Sequence, residues 1–288
     1  MNYSDFEEMI PITMGWSKEE KYYVKNKQGE RFFLRVSEPN TYDEKANFFG
    51  ILKQLSKLDI FFPHPVEFGT FDKGVYHLEE WIDGDGAEKI VPQLDKNGQY
   101  RLGVSAGKAL KEIHSIPAPD TAEEWAKRFN KKIDRKIKDY KKCKHKLSGG
   151  DKLIDYIKKN KKLIENRPQC FQHGDFHMEN MMVADNEIVI IDFNRFDYGD
   201  PWEEFNRIIW TAKICPVFAT GIVDGYFDND VPEEFWRLLL LYAANNTIAS
   251  ISWANKGISD FKTMMDYAEF FYETTKGMTR IVPTWYKK

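Results

Sequence analysis

The chain has 288 residues, a formal net charge of −3 and 42% hydrophobic residues. That length is enough for two lobes with cores of their own, and charged and apolar residues at globular levels exclude a largely disordered chain. A slightly acidic balance gives no support to a nucleic-acid partner.

The hydropathy and cysteine patterns favour a cytoplasmic protein. No run of about 18 consecutive apolar residues is present, so we expect no membrane partner. We also expect no secretion, because the sequence does not start with an apolar run. The three cysteines, Cys143, Cys170 and Cys215, are odd in number and lie far apart, which fits free thiols in a reducing compartment. The sequence leaves the oligomeric state open.

Residues 1–83 are predicted to form an N-terminal lobe of strands with one helix. Residues 22–24 and 31–36 are rich in β-forming residues, and a Gln-Gly turn separates them. Two further strands are expected at 66–68 and 75–80. Between these two pairs of strands, apolar residues recur at helical spacing, namely Phe48, Phe49, Ile51, Leu52 and Leu55.

Residues 84–288 are predicted to form the second lobe, and its first helix carries a hydrolase-like pattern. Gly103, Ser105 and Gly107 fit G-x-S-x-G, which as a nucleophile elbow requires a strand leading into a strained turn at the serine. A polar loop precedes the pattern instead, and apolar residues recur at helical spacing from Leu102 onward. We prefer a helix whose small residues allow close packing, with a serine hydrolase as the alternative.

The segment 117–168 is strongly basic, with 17 Lys and Arg against 8 Asp and Glu. Two helices are predicted in it, the second over about residues 151–165 after a Ser-Gly-Gly linker. We interpret the segment as a helical insertion whose cations form a solvated face, and an anionic partner is the alternative. The first helix has one apolar face, formed by Trp125, Phe129, Ile133, Ile137 and Tyr140.

Residues 171–204 contain the pattern on which the functional prediction depends. His173, Gly174 and Asp175 are followed by Asn180, five residues after the aspartate. Two short apolar runs then flank an Asp-Asn turn, and the second run ends on Asp192. This order predicts a β-hairpin with one functional loop before it and one acid after it.

Asp175, Asn180 and Asp192 match the order and spacing of a phosphoryl-transfer site. In that chemistry an Asp orients the attacking hydroxyl, while an Asn five residues later and an Asp after the next hairpin bind Mg²⁺. A closed hairpin would bring the Asn180 and Asp192 oxygens to one hard cation. Each residue alone could serve a turn, but the three together predict Asp175 as catalytic base and the other two as metal ligands.

The motif H-G-D-F-H-M-E-N followed by I-D-F-N-R-F-D-Y-G-D-P resembles the aminoglycoside phosphotransferase and choline kinase family of small-molecule kinases. The resemblance implies a bilobal, protein-kinase-like α+β fold, with an antiparallel sheet plus a helix in the first lobe and a mostly helical second lobe. It also implies γ-phosphoryl transfer from ATP or GTP, bound with Mg²⁺, to a hydroxyl of a small molecule. Gly174 stands where protein kinases have Arg, Asn194 stands where they have Gly, and no Ala-Pro-Glu segment follows, so we expect no protein acceptor.

The same resemblance implies nucleotide-binding residues in the first lobe. Arg35 stands at the strand position from which kinases reach the α- and β-phosphates, and a guanidinium suits that task. Glu44 is its implied partner, with Asp43 as runner-up and a helix-dipole role as the structural alternative. Ser17 belongs either to a loop over the phosphates or to a plain turn. The implied hinge, whose backbone would hold the purine, is Glu80, Trp81 and Ile82.

In the family the acceptor site lies between the catalytic loop and the C-terminal helices. Helices are predicted here at about 202–213, 232–249 and 258–276. Acidic side chains in the first and last of them would suit a cationic acceptor, an aminoglycoside first and choline second, although a solvated face is the structural alternative. A non-catalytic nucleotide-binding regulator on the same fold also stays open. The candidate acceptor residues are Glu203, Glu204, Asp266, Glu269 and Glu273.

Overall fold

The computed structural model describes residues 5–13, 19–71 and 74–287. Ser17, which was predicted to lie near the nucleotide phosphates, is outside the described residues. Within them the chain forms an antiparallel sheet with one long helix, followed by a mainly helical region. The predicted α+β organisation is confirmed.

Five strands form the N-terminal sheet, and one face of it has its own small apolar core. The strands are β1 (Phe6–Pro11), β2 (Glu20–Asn26), β3 (Arg31–Ser37), β4 (Pro65–Phe71) and β5 (Gly74–Glu80). They are antiparallel, in the order β1-β2-β3-β5-β4. The sequence analysis missed β1, since an irregularity in its pairing after Phe6 interrupts the alternation of buried and exposed residues. The core residues are Val24, Leu34, Val36, Tyr76 and Leu78.

Helix α1 (Tyr42–Leu55) joins the sheet to the rest of the molecule. Its buried residues are the five predicted from helical spacing: Phe48, Phe49, Ile51, Leu52 and Leu55. Four of them, all except Phe49, belong to the same apolar cluster as the helices that follow. The helix therefore packs the sheet against the C-terminal region and limits the movement of one relative to the other.

The described C-terminal region contains helices α2 (Ala87–Ile90), α3 (Lys96–Ile113), α4 (Trp125–Lys141), α5 (Gly150–Asn160), α6 (Ile208–Ile214), α7 (Pro216–Tyr226), α8 (Glu233–Asn255) and α9 (Phe261–Thr274). Within the described parts of the chain, no helix is long and apolar enough to cross a membrane.

Two small sheets lie among these helices and contain most of the predicted catalytic stretch, residues 171–204. In one, β6 (Asp85–Gly86) pairs with β8 (Met181–Ala184), which pairs with β9 (Glu187–Ile190); in the other, β7 (Cys170–Gln172) pairs with β10 (Asp197–Gly199). Since β6 pairs with β8, the chain has entered the C-terminal region by Asp85. This pairing is compatible with the lobe boundary near residue 83, which stays a prediction.

The basic segment folds as α4 and α5 against α8. All five predicted apolar residues of α4 are buried, and Trp125 Nε1 donates a hydrogen bond to Tyr242 Oη of α8 at 3.0 Å. Helix α5 is shorter than predicted, because residues 161–164 form a 3₁₀ turn. An amphipathic α4 thus keeps its apolar face on α8 and places its lysines on the other faces.

Helices α3 and α7 pack at close range because glycines face each other across the interface. A Cβ on Gly103 would overlap the carbonyl oxygen of Phe218, and one on Gly107 would overlap the carbonyl oxygen of Ile222. Ser105 lies in the middle of α3, not at a strand-to-helix turn. The serine hydrolase alternative is therefore wrong, because a nucleophile elbow needs that strained turn.

The contact between α3 and α7 predicts the effect of one added methyl group. Gly107→Ala places a Cβ against the Ile222 carbonyl oxygen and 2.8 Å from the Tyr226 backbone nitrogen. We expect a loss of about 1–3 kcal/mol in the free energy of unfolding, measured by urea denaturation, because the two backbones must move apart. Gly50→Ala in α1 is the control, since nothing lies within 4 Å of that Cβ. Equal stability of the two variants would contradict the close packing.

Candidate active site

The predicted catalytic loop begins directly after β7 and is anchored by a buried histidine. His173 Nε2 lies 2.9 Å from the carbonyl oxygen of Ile191, while the backbone N–H of Asp175 donates to His173 Nδ1 at 3.2 Å. These contacts assign the proton to Nε2. Burial lowers the pKa of His173, so the ring is neutral as this pattern requires. One imidazole therefore connects the loop that carries Asp175 to the residue before Asp192.

Position 174, where protein kinases have an arginine, requires a glycine in this structure. Its φ is +84°, and a Cβ would overlap the carbonyl oxygen of Arg195. Its N–H donates to both carboxylate oxygens of Glu204, at 3.0 and 3.2 Å. Glu204 is only 2% exposed. The prediction that Glu204 contacts an acceptor is therefore wrong, because this carboxylate is buried beneath the loop and fixes its conformation.

Asp175 lies at the end of the loop among three basic side chains. Its Oδ1 is 3.0 Å from Arg207 Nε and 3.4 Å from His177 Nε2, and its Oδ2 is 3.4 Å from Arg195 Nη1. Burial by itself raises the pKa of the Asp175 carboxyl. The histidine and the two guanidinium groups outweigh burial and hold that pKa well below its usual range. Asp175 is therefore a fixed, ionised hydrogen-bond acceptor.

Asn180 and Asp192 lie at the two ends of the β8–β9 hairpin, as predicted. The N–H of Ile191, next to Asp192, donates to the carbonyl oxygen of Asn180 at 3.1 Å. Asn180 Nδ2 donates to the carbonyl oxygen of Asp175 at 2.8 Å. This bond identifies which side-chain atom of Asn180 is the nitrogen. The amide oxygen is then free to bind a further partner.

Asp192 has a left-handed backbone, with φ 65° and ψ 60°, and a side chain that is 45% exposed. Asn194 Nδ2 donates to its Oδ1, so the Asn that replaces the expected Gly contributes a contact of its own. Arg35 Nη2 lies 3.9 Å from the same oxygen. The carboxylate is thus accessible and faces the strand from which a phosphate-binding cation was predicted.

The donor set at the hairpin fits a hard, oxygen-preferring cation. Asn180 and Asp192 supply an amide oxygen and a carboxylate, and both residues line one cavity. Across the described residues, no group of three or more His, Cys, Asp and Glu side chains could hold a metal ion. Mg²⁺ commonly binds through one or two protein oxygens and completes its shell with water and substrate phosphates. The two residues suit that mode.

A cavity of about 360 Å³ lies between the N-terminal sheet and the hairpin. Arg35, Glu80, Trp81, Ile82, Asn180 and Asp192, which are six of the predicted site residues, line it. Much of the remaining wall is apolar and is formed by Ile12, Phe33, Pro63, Met182 and Ile191. An apolar slot with cationic and carboxylate groups at one end fits a molecule with a flat ring and a charged tail.

Arg35 is buried and held by two glutamates. Its Nη1 is 3.2 Å from Glu19 Oε2, and its Nε is 3.3 Å from Glu79 Oε1. Glu19 also accepts from Lys45 of α1 at 2.7 Å and from Ser37 at 2.8 Å. The helix therefore contributes a lysine to this network, and the carboxylates come from β5 and from the residue just before β2.

The predicted ion pair between Arg35 and Glu44 is wrong. The side chain of Glu44 is 75% exposed and pairs with Lys45 at 3.3 Å. The acid in the first turn of α1 faces outward because the inward position of that turn belongs to Lys45, which is bound to Glu19. The runner-up Asp43 is exposed as well.

Two of the three predicted hinge residues already use their backbone N–H groups in hydrogen bonds within the protein. The N–H of Glu80 donates to the carbonyl oxygen of His64 at 2.9 Å, and that of Trp81 donates to the carbonyl oxygen of Arg31 at 3.3 Å. Among the described residues, the Ile82 N–H has no such acceptor. Ile82 is therefore the hinge amide best placed to donate to a ligand.

The other acids predicted for the acceptor do not converge on one site. Glu203 binds Lys132 of α4 at 3.1 Å, and Asp266 binds Lys262 at 2.8 Å. Glu269 and Glu273 are exposed on α9. Contact of these four with an acceptor stays a prediction, but two of them are already paired with lysines.

Sequence reasoning missed Glu79, Glu19 and Arg207. Glu79 gave a usable signal, since it is an acid near the end of a strand whose preceding residues are all buried. Glu19 and Arg207 gave none. Their partners lie 16 and 32 residues away in sequence, so only the sheet and the loop packing bring each pair together.

The fold is similar to that of solved phosphotransferases. The chain resembles a thermostable mutant of the aminoglycoside phosphotransferase APH(4)-Ia, with a TM-score of 0.67, 13% identity and coverage of 96% of this chain and 97% of that one. It also resembles spectinomycin phosphotransferase APH(9)-Ia in complex with ADP and spectinomycin, with a TM-score of 0.62, 15% identity and coverage of 94% and 90%. For the amicoumacin kinase hAmiN, in complex with AMP-PNP, Ca²⁺ and Ami, the TM-score is 0.61, with 15% identity and coverage of 95% and 90%. A comparison with curated proteins finds no match.

Fold and site together define a small-molecule kinase with a bilobal, protein-kinase-like architecture. The sequence profile of the phosphotransferase enzyme family matches residues 8–236, which is most of the chain. The protein belongs to that family.

The buried network around Arg35 predicts a pH-dependent contribution to stability. Burial by itself raises the pKa of Glu19, but Lys45, Arg35 and Ser37 outweigh it and lower the pKa from 4.5 to about 2. The carboxylate therefore stabilises the fold above pH 4.5, and this contribution is lost as the pH falls towards 2. Glu19→Gln should cost about 2–3 kcal/mol at neutral pH, measured by urea denaturation.

The difference between wild type and Glu19→Gln should shrink as the pH is lowered through that window. Glu20→Gln is the matched control, because the neighbouring Glu20 is exposed. A gap in stability that stays constant with pH would contradict the assigned network.

Proposed function

We propose that this protein transfers the γ-phosphoryl group of ATP to a hydroxyl of a small molecule, with Asp175 as the catalytic base. In this reaction a bond forms between the acceptor oxygen and the γ-phosphorus, and the bond from that phosphorus to the β–γ bridging oxygen breaks. The hydroxyl proton passes to the Asp175 carboxylate. Nucleoside diphosphate leaves with the negative charge of the broken bond.

One observation carries the proposal: Arg35, Asn180 and Asp192 line a single cavity, and Asn180 is hydrogen-bonded to the loop that bears Asp175. A nucleotide in that cavity would have its base near Ile82 and its phosphates near Arg35 and Asp192. Its terminal phosphate would then point towards Asp175. The residues thus follow the order that an in-line transfer requires.

ATP is the favoured donor, and GTP is the alternative from the resemblance. The solved neighbours include complexes with ADP or AMP-PNP. In this chain the free Ile82 N–H can donate to a purine ring, and Trp81 and Phe33 lie in the same wall. The wall is apolar enough to bury either base, so a direct competition between the two nucleotides decides the preference.

Mg²⁺ bound with the nucleotide would neutralise charge on the phosphates. The residues that would hold it are Asn180, through its amide oxygen, and Asp192. Arg35 is fixed by Glu19 and Glu79 and presents its guanidinium beside Asp192. A cation held rigidly in this way loses little entropy when it binds a phosphate.

The depressed pKa of Asp175 indicates how it acts. A carboxylate that stays ionised is a weak base, so it accepts the proton late, after the bond to phosphorus has begun to form. Before that it orients the hydroxyl by accepting its hydrogen bond. Arg207 holds Asp175 Oδ1 at 3.0 Å and also donates to the carbonyl oxygen of Gly174 at 3.0 Å, so it is a positioning residue.

The acceptor is proposed to bind between the catalytic loop and α9. His177 packs edge-on against Trp210 at 5.2 Å, and Trp210 stacks on Tyr267 of α9 at 5.4 Å. This aromatic chain connects the loop to the predicted acceptor helix. A cationic acceptor, such as an aminoglycoside, would need free acids here. Glu204 is buried and Glu203 is paired with Lys132, so the exposed Glu269 and Glu273 of α9 are the predicted acids that remain available to such an acceptor.

We place the protein in the cytoplasm, with a small-molecule acceptor as its partner. Support comes from the three cysteines, all of which are free thiols, and from a donor that is a cytoplasmic nucleotide.

Asp175→Asn should lower turnover by about 10²–10⁴-fold, because the uncharged amide cannot take the hydroxyl proton. A coupled assay of nucleoside-diphosphate release, with ATP and a panel of aminoglycosides, choline, sugars and hydroxy acids, measures this. The control is Asp185→Asn, an exposed hairpin residue with φ 50°. Full turnover by Asp175→Asn would exclude it as the base.

Asp192→Asn should weaken binding of magnesium-AMP-PNP by at least about tenfold and leave metal-free nucleotide binding little changed. The substitution removes a charged metal ligand and keeps a residue type that tolerates the left-handed backbone. Isothermal titration with and without Mg²⁺ measures both affinities. If Asp192→Asn binds the magnesium complex as tightly as Asp185→Asn does, the metal assignment is wrong.

A further inference from the structure

The wall of the nucleotide cavity contains a second cation besides Arg35. Lys21 of β2 lines the same cavity as Arg35, Asn180 and Asp192. In the ladder between β2 and β3, Lys21 is the partner directly opposite Arg35. Residues that are directly opposite in an antiparallel pair lie on the same face of the sheet, with Cβ atoms about 5 Å apart. The two side chains therefore start from neighbouring points on the face that covers the cavity.

The guanidinium group of Arg35 has little freedom to follow a ligand. Its Nη1 and Nε lie 3.2 and 3.3 Å from carboxylate oxygens of Glu19 and Glu79, and its Cζ lies 4.9 Å from the centre of the Phe33 ring. Arg35 is only 8% exposed. Its remaining nitrogen, Nη2, lies 3.9 Å from Asp192 Oδ1. Most of the guanidinium group therefore contacts the protein itself, and its free edge is beside the predicted metal ligand.

The charges along the cavity wall favour a further cation contact to a phosphate chain. Among the described residues of this wall, the cations are Lys21 and Arg35. A magnesium nucleotide keeps a net negative charge, and a wall that is acidic overall repels it unless a cation contacts the phosphates directly. The acids of the wall outnumber its cations and are Glu79, Glu80, Glu179 and Asp192.

Lys21 has the properties that such a contact requires. It is partly exposed, and a lysine carries its charge on a flexible four-carbon stem that can follow a phosphate. Burial and the charge of Arg35 lower the pKa of Lys21, while the charges of Asp192 and Glu19 oppose them. Like charges on directly opposite residues of two strands repel each other. A phosphate placed between the two cations would offset that repulsion.

We propose that Lys21 is a phosphate-binding residue of the donor site, and that the phosphate chain of a nucleoside triphosphate binds between Lys21 and Arg35. The proposal rests on the proposed function, because it takes this cavity to be the nucleotide site. It assigns different roles to the two cations. Arg35 is held by the protein and supports Asp192, whereas Lys21 supplies a contact that forms only when the nucleotide binds.

Titration calorimetry with magnesium-AMP-PNP and with adenosine separates a phosphate contact from a packing role. Lys21→Gln should weaken binding of magnesium-AMP-PNP by at least about tenfold, because a charge-assisted contact is lost, and leave adenosine binding unchanged. Lys21→Arg, which keeps a cation at this position, should restore most of the affinity. The difference between wild type and Lys21→Gln should also shrink as the salt concentration is raised, because salt screens an ionic contact.

Lys25→Gln is the matched control, since it removes the same charge from the same strand at a position that does not line the cavity. Its affinity for magnesium-AMP-PNP should equal that of wild type. Equal affinities of wild type and Lys21→Gln for magnesium-AMP-PNP would overturn the inference. An equal loss of affinity for adenosine and for the nucleotide would also overturn it, because Lys21 would then only shape the wall.

Turnover distinguishes failure of this inference from failure of the proposed function. With any acceptor that is phosphorylated, Lys21→Gln should raise the KM for ATP by at least about tenfold and change kcat little, as loss of a binding contact does. An unchanged KM in an enzyme that still turns over would overturn the role of Lys21 and leave the kinase intact. If wild type neither binds magnesium-AMP-PNP nor releases nucleoside diphosphate with any acceptor, the proposed function is wrong, and the inference is wrong with it.

Discussion

The hydrogen bond between His173 and the carbonyl oxygen of Ile191 is the constraint on which the rest of the site depends. It joins the loop before the hairpin to the segment after it, so the separation of Asp175 and Asp192 is fixed by one buried ring. Glu204, which is buried, adds a second support by accepting a hydrogen bond from the Gly174 N–H. Since neither support touches a substrate, the geometry of the reactive groups is set before any ligand arrives, which is what preorganised catalysis requires.

Buried charge is distributed in two systems with different requirements. On the nucleotide side, Arg35 has Glu19 and Glu79 as close partners, so its charge is balanced within the protein. Beside Asp175, the charges are shared instead: Arg207, Arg195 and His177 all lie within 3.4 Å of one carboxylate. A network whose charges are matched can be rigid without a ligand.

Residue patterns predicted the local structure of the candidate site where the residues are close in sequence. Asp175, Asn180 and Asp192 lie in one stretch, and the hairpin between them follows from two apolar runs and a turn. Prediction failed where partners come from distant segments. The acid of α1 was assigned to Arg35 by resemblance, but the inward position of that turn is taken by Lys45. The partners of Arg35 are Glu79 of β5 and Glu19, just before β2. Likewise, acidity in sequence did not reveal that Glu204 would be buried under a glycine.

The sequence by itself determined the reaction class, because a catalytic loop and hairpin are local structures whose residue types and spacing encode their chemistry directly. It also determined the α+β organisation through the change from strand to helical periodicity. Only the tertiary structure decided which charges meet. The pairing of Arg207 with Asp175 and of Lys45 with Glu19 depends on how segments distant in sequence pack together, and pairwise electrostatics falls off over a few ångströms.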